Sequence, residues 1–145
     1  MFEIVAVGND IEAAVKASSN LGGVCYLADP TDERTLPFRT LIRCVTDSPQ
    51  DLNAAAGNGM YLVFSRVIRE RKTKIESGVP SPGVTAIFPL LHHPTLTHEQ
   101  SDAHWRDVHA PLALQHHPGM WDYTQLSVTR TLSGPEIDGF ALVSF

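Results

Sequence analysis

Apolar positions along this chain recur with two periods, and the switches between them mark the elements. Phe2 to Val7 is a continuous apolar, β-branched run and reads as a strand. Asn9 or Asp10 then caps a short helix, Ile11 to Ser18, and Gly22-Gly23 punctuates before a short strand, Val24 to Leu27. Asp29-Pro30-Thr31-Asp32 is a turn. Phe38 to Val45 alternates, with Leu41, Arg43 and Val45 on one side and Ile42 and Cys44 on the other, as a strand does. Ser48-Pro49 starts a second short helix with proline at its first position, and Gly57-Asn58-Gly59 stops it. Tyr61 to Arg69 is the next strand. Residues 1–76 therefore read β-α-β-β-α-β, the ferredoxin-like order, which places helices on one face of an antiparallel sheet.

A change of composition follows. Five basic residues cluster at 66–74, read as a solvated strand end, and Ser77-Gly-Val-Pro-Ser-Pro-Gly83 reads as a linker. A second unit, 84–145, then gives a strand (Val84 to Leu91), a broken helix (Thr97 to His117), a long strand (Asp122 to Leu132) and another strand (Phe140 to Phe145), with Ser133-Gly134-Pro135 and Asp138-Gly139 marking the turn between the last two. This β-α-β-β order is the first two-thirds of the same pattern, incomplete at its C-terminus, so another chain, the first half or a continuation of the sequence is expected to complete the sheet.

The stretch from Thr97 to Gln125 concentrates the candidate chemistry. It holds five of the seven histidines and both tryptophans. Thr97 is the expected N-cap, and Glu99 and Asp102 set negative charge in the first turns, where the helix dipole favours it. At 3.6 residues per turn, His98, Asp102, Trp105, His109 and Leu112 share one stripe, while Ala103, Val108 and Leu114 form the greasier side. Arg106 and Asp107 are expected to face solvent. Pro111 lacks an N–H and its ring clashes with the carbonyl of Asp107, which predicts a kink or restart with His109 at the junction. A histidine there is a candidate general acid or base. The paired histidines His92-His93 and His116-His117 sit at element ends and read as surface residues. No metal site is expected: His104 and His109 are five apart rather than four, and His98 and His109 are eleven apart, too far to share one ion.

Composition narrows the classes. At 145 residues and 43% hydrophobic, the chain can bury a core. Its formal charge of −5 argues against a phosphate-backbone binder. The charge is uneven, with nine basic and nine acidic residues in 1–74 but two basic and seven acidic in 75–145. The first fifteen residues lack a basic segment followed by a long apolar run, so no signal peptide is expected, and no apolar stretch suits a membrane span. A cytoplasmic location is expected, with Cys25 and Cys44 reduced.

The run from Thr95 to Gln125 resembles the signature helix of the EthD-like family, in the dimeric α+β-barrel superfamily. The resemblance rests on His104, Trp105, His109, Pro111, Leu112, Pro118, Gly119 and Tyr123, and covers roughly residues 83–145. It implies an α+β fold of ferredoxin-like βαββαβ units with antiparallel sheets, packed as a barrel across a homodimer, with a cavity between sheet and helices. It also implies a small hydrophobic or aromatic carbonyl substrate and lyase, isomerase or cyclase chemistry without a cofactor. His109 and Tyr123 are then the candidate catalytic residues, and Trp105, His104 and Leu112 the candidate ligand contacts. The alternative is a non-catalytic small-molecule-binding or assembly module in which His109 is structural.

Overall fold

A computed structural model describes residues 2–72 and 74–145; Thr73, inside the basic cluster, lies outside them. The strands are β1 (Phe2–Gly8), β2 (Val24–Leu27), β3 (Thr40–Thr46), β4 (Gly59–Arg69), β5 (Thr85–Leu90), β6 (Asp122–Ser133) and β7 (Gly139–Ser144). The helices are α1 (Ile11–Leu21), a 3-10 helix (Pro49–Ala55), α2 (His98–His104), a π-turn (Trp105–His109) and α3 (Ala110–His116).

The expected ferredoxin-like βαββαβ units of an α+β barrel are not what the chain forms. Its strands join one seven-stranded, mostly antiparallel sheet in the order β2-β3-β1-β4-β6-β7-β5, so the fold is dominated by the sheet. Two local features depart from the expected pattern with it. The segment after Ser48-Pro49 winds as a 3-10 helix rather than an α-helix, and its Ser48 makes no side-chain cap. β4 and β6, at 11 and 12 residues, are long enough to hydrogen-bond as neighbours and so carry the sheet onward.

By contact density the chain separates into two compact units. The first runs to Val63 and includes Thr129–Glu136; the second comprises Phe64–Val128 and Ile137–Phe145, and holds residues 77–83.

In the first unit α1 begins where Asp10 accepts from the Ala13 N–H at 3.0 Å and ends at Gly22, whose φ of 71° is costly for other residues. Ala14 packs from α1, and Leu52 and Ala55 from the 3-10 helix, onto Ile4, Ala6, Ile42, Cys44 and Met60. Val5, Val7, Leu41 and Tyr61 on the alternate positions are buried as well. That explains why β1 reads as an unbroken apolar run: strands covered on both faces lose the inside–outside alternation. Cys25 and Cys44 are free, and burial pushes both thiols upward, away from reactivity.

In the second unit β5 and β6 flank β7, with Thr85 and Asp122 both opposite Ser144. Trp105, Ala110, Met120, Tyr123 and Ala141 form its core, with Leu90, Ala113 and Leu114 packed around them. No helix among the described residues is long and apolar enough to cross a membrane.

Candidate functional site

α2 starts at a complete capping box. Thr97 Oγ1 accepts from the Gln100 N–H at 3.1 Å, and Gln100 Oε1 accepts from the Thr97 N–H at 2.9 Å. This fixes where the helix begins and so which way its first turn faces. His98, at the first helical position, is turned towards the loop before β7.

There it meets Asp138. His98 Nδ1 lies 2.7 Å from Asp138 Oδ1, and His92 Nδ1 lies 2.9 Å from Oδ2. The His92 backbone N–H also donates to Oδ2 at 2.6 Å. Burial raises the pKa of Asp138, but these three hydrogen bonds and the charge of His92 outweigh it and hold the carboxyl below its usual range. An ionised carboxylate only accepts, so each Nδ1 carries the proton, and Nε2 of His98 is left as an acceptor when the ring is neutral. That is the arrangement in which a carboxylate orients an imidazole for proton transfer.

Beside this pair lies a cavity of about 30 Å³ lined by Leu90, His98, Ser101, Asp102, Trp105, Asp138 and Gly139. It has room for one water-sized group. Gly139 makes this packing possible: a Cβ there would stand 2.6 Å from Trp105 Cζ3 and 2.9 Å from the Leu126 carbonyl oxygen.

A second polar network supports the cavity floor. Asp102 receives two parallel bonds from Arg66, Nη1 to Oδ2 at 2.8 Å and Nη2 to Oδ1 at 2.9 Å. Arg66 Nε donates to Gln125 Oε1 at 2.9 Å, and its guanidinium stands 5.4 Å from the Trp105 ring centroid. Gln125, fully buried, donates through Nε2 to the Trp105 carbonyl at 3.1 Å and to Tyr123 Oη at 3.0 Å. Tyr123 Oη also accepts from Trp105 Nε1–H at 3.1 Å. Burial raises the pKa of Asp102, but hydrogen bonds from Arg66 and Ser127 and the charges of Arg66 and His98 overcome it, and the group ends below its ordinary value. Arg66 is thus part of a buried network rather than the solvated strand end expected from its basic neighbours.

A second helical segment, α3, starts as expected with Pro111 in its first turn and His109 at the junction, but the chain does not leave the helical path there. The chain keeps helical angles through His104, His109 and Ala110, and it adapts by widening one turn. The Ala110 N–H donates to the Trp105 carbonyl five residues back, instead of four, just ahead of the proline that supplies no donor. One added residue rotates the following face by about 100°. Ala110, rather than His109, therefore comes beneath Trp105. His109 is exposed, as are His104, Val108 and Leu112, while Ala113 and Leu114 take the packing positions. Val108 was expected on the greasier side and lies outside it. Arg106 and Asp107 face solvent and pair with each other at 2.8 Å.

Of the five site residues expected from sequence, then, Trp105 and Tyr123 are brought together and buried, whereas His109, His104 and Leu112 are not joined to them. Asp138, His98, His92, Arg66 and Gln125 complete the arrangement. Sequence reasoning placed His98 on the right stripe but gave it no role, and took Asp138 for half of an Asp-Gly turn. Among the described residues no group of three or more His, Cys, Asp or Glu is arranged to hold a metal ion. His92 and His98 both direct Nδ1 at one carboxylate.

Comparison with protein-family models, curated proteins and solved structures found no match to this chain.

Proposed function

We propose that this protein is a cofactor-independent acid–base catalyst, a lyase, isomerase or cyclase acting on a small hydrophobic or aromatic carbonyl compound, with His98 as the proton-transferring group. The observation that carries this reading is the His98–Asp138 pair at 2.7 Å beside the small cavity. The EthD-like pattern at His104, Trp105, His109, Pro111 and Tyr123 supports the substrate class by resemblance alone. We assign proton transfer to His98 in preference to His109, which the π-turn leaves exposed and away from the Trp105–Tyr123 pair. The cavity admits one functional group, so the substrate presents its carbonyl or its acidic carbon there while its body stays outside. Asp138 is a positioning residue: it fixes the His98 tautomer and stabilises imidazolium as the proton arrives. A homodimer and a cytoplasmic location belong to the same reading.

The test is proton exchange with solvent. Small ketones, lactones and phenolic carbonyl compounds in deuterium oxide are followed by proton NMR with wild-type protein, His98→Gln and His109→Ala. The proposal requires catalysed exchange at the carbon beside a carbonyl, lost in His98→Gln and retained in His109→Ala. Undiminished exchange in His98→Gln, or none by the wild type across the panel, would sink it.

A second reading, a non-catalytic binding module, is favoured by one observation. The polar groups of Arg66, Asp102, Gln125 and Tyr123 bond to one another, as a structural network does. On that reading His98→Gln changes stability and no reaction.

A further inference from the structure

We propose that a second cleft in the same unit, lined by Arg71, Lys74, Ile75, Pro82, Gly83 and Trp121, binds a small carboxylate carrying a flat apolar body, an aryl carboxylate. It shares no lining residue with the His98 cavity, and the inference stands whether or not His98 is a base.

The first support is an underused cation. The Arg71 side chain is 14% exposed, and its Nε and Nη1 are shielded from water with no hydrogen-bond partner among the described residues. A guanidinium has five N–H donors, three of them on these two nitrogens, and leaving those unpaired in a buried place costs more than for a neutral group. Asp122 offsets the charge only in part: its Oδ2 stands 3.4 Å from Nε, an ion pair that makes no hydrogen bond. Lys74 adds a second positive charge to the cleft wall. An incoming carboxylate has the planar, two-oxygen shape that a guanidinium fork matches.

The second support is the shape and lining. The cleft is about 290 Å³, near the lower end of the usual range for small-molecule sites and enough for one ring with a short substituent. Its other walls are apolar. The Trp121 ring lies 4.3 Å from the Arg71 guanidinium carbon, so the cation is stacked in place before any ligand arrives. Ile75 and Pro82 offer flat hydrocarbon surface to a ligand ring.

The third is that two of the walls are anchored. Trp121 N–H donates to the Ser144 carbonyl at 3.0 Å, and Val84 and Phe145 exchange backbone bonds at 3.2 and 3.0 Å next to Gly83. Gly83 has φ 81°, and a Cβ there would run into the Phe145 carbonyl, so the backbone comes close at this point and only glycine lets it. A ring entering the cleft would meet a wall of fixed geometry and a cation with unspent donors.

Titration calorimetry of the full chain tests this with four probes: benzoate, its neutral isostere benzamide, acetate and inorganic phosphate. The proposal expects saturable benzoate binding, at least about tenfold tighter than benzamide or acetate, since losing the charge or the ring removes one kind of contact. It expects Arg71→Gln to weaken benzoate by about tenfold or more, and Lys74→Gln, at an exposed residue, to weaken it less. Equal binding of benzamide overturns recognition of the carboxylate. Acetate or phosphate binding as tightly as benzoate overturns recognition of the apolar body. Absence of saturable benzoate binding by the wild type overturns the site, and because the four-probe comparison uses the wild type, a poorly folded Arg71→Gln does not decide the matter.

Discussion

His98 Nδ1 lies 2.7 Å from Asp138 Oδ1, although forty residues separate them in the chain. The contact joins the first turn of α2 to the loop before β7. It converts a helix-start histidine into one whose free nitrogen is defined. Asp138→Asn keeps the shape but turns a pure acceptor into a mixed donor and acceptor, so His98 loses its imposed tautomer. On the acid–base reading, turnover should fall by roughly 10²–10⁴-fold, the usual contribution of a positioned proton-transfer group. Steady-state rates on any substrate found by the exchange screen check this; a change of less than about threefold would contradict it.

Acid should weaken the fold through the same carboxylates. Asp138 and Asp102 have folded pKa values below their ordinary ones. Such groups stabilise the folded chain fully above the unfolded value of about 3.9, and the contribution is lost as pH falls from there through the folded values. Urea midpoints should therefore hold steady from pH 7 to about 5 and drop below about 4. Asp102→Asn and Asp138→Asn should each flatten that drop. An unchanged slope in both variants would show that other groups carry the acid sensitivity.

Arg66 and Asp102 form a nearly buried, two-bond pair, with side chains 13% and 18% exposed. Arg66→Ala leaves Asp102 and the Gln125 oxygen without their partner and should destabilise by about 3–5 kcal/mol. Arg66→Lys keeps the charge but not the fork and should lose a large part of this. Chemical denaturation of the three proteins checks the order, wild type above lysine above alanine.

The π-turn predicts opposite behaviour for neighbours. His109→Ala, at an exposed position, should change stability by no more than about 0.5 kcal/mol. Ala110→Leu, beneath Trp105 and 2% exposed, should overpack the core and cost about 1–3 kcal/mol. A large loss from His109→Ala with none from Ala110→Leu would mean that the helix keeps α register past Trp105.

Gly139→Ala offers an independent check on the cavity wall. The new methyl would press on the Trp105 ring and on the Leu126 carbonyl, one of them backbone, so it cannot be absorbed by a side-chain shift alone. A destabilisation of about 1–3 kcal/mol is expected, with altered tryptophan fluorescence in the folded state.

Much of the local structure was legible. The Val24–Leu27 strand, the Thr97 cap, a first cap narrowed to Asn9 or Asp10 and found at Asp10, and the helix stop at His117 all follow from short-range rules of capping and periodicity. What the sequence hid was non-local or a matter of register. Nothing in β4 or β6 alone says that they become neighbours in one sheet. The face of the helix beyond Trp105 differs from the one that 3.6-residue periodicity predicts because that periodicity holds no sign of a five-residue turn, although Pro111 marks the place. Asp138 was hidden by its glycine: Asp-Gly is a turn signal, and only the fold shows three donors converging on it. Arg66 was hidden by company, as one of five basic residues whose partners lie 36 and 59 residues away.

The most direct measurement is the tautomer of His98, read at pH 8 from long-range nitrogen–proton NMR correlations of the imidazole, with His98→Gln to assign the signal. The account predicts a proton on Nδ1 and a bare Nε2, shifting towards the opposite tautomer in Asp138→Asn. A proton on Nε2 in the wild type would contradict it, because the free nitrogen would then face the carboxylate and His98 could not serve as the base.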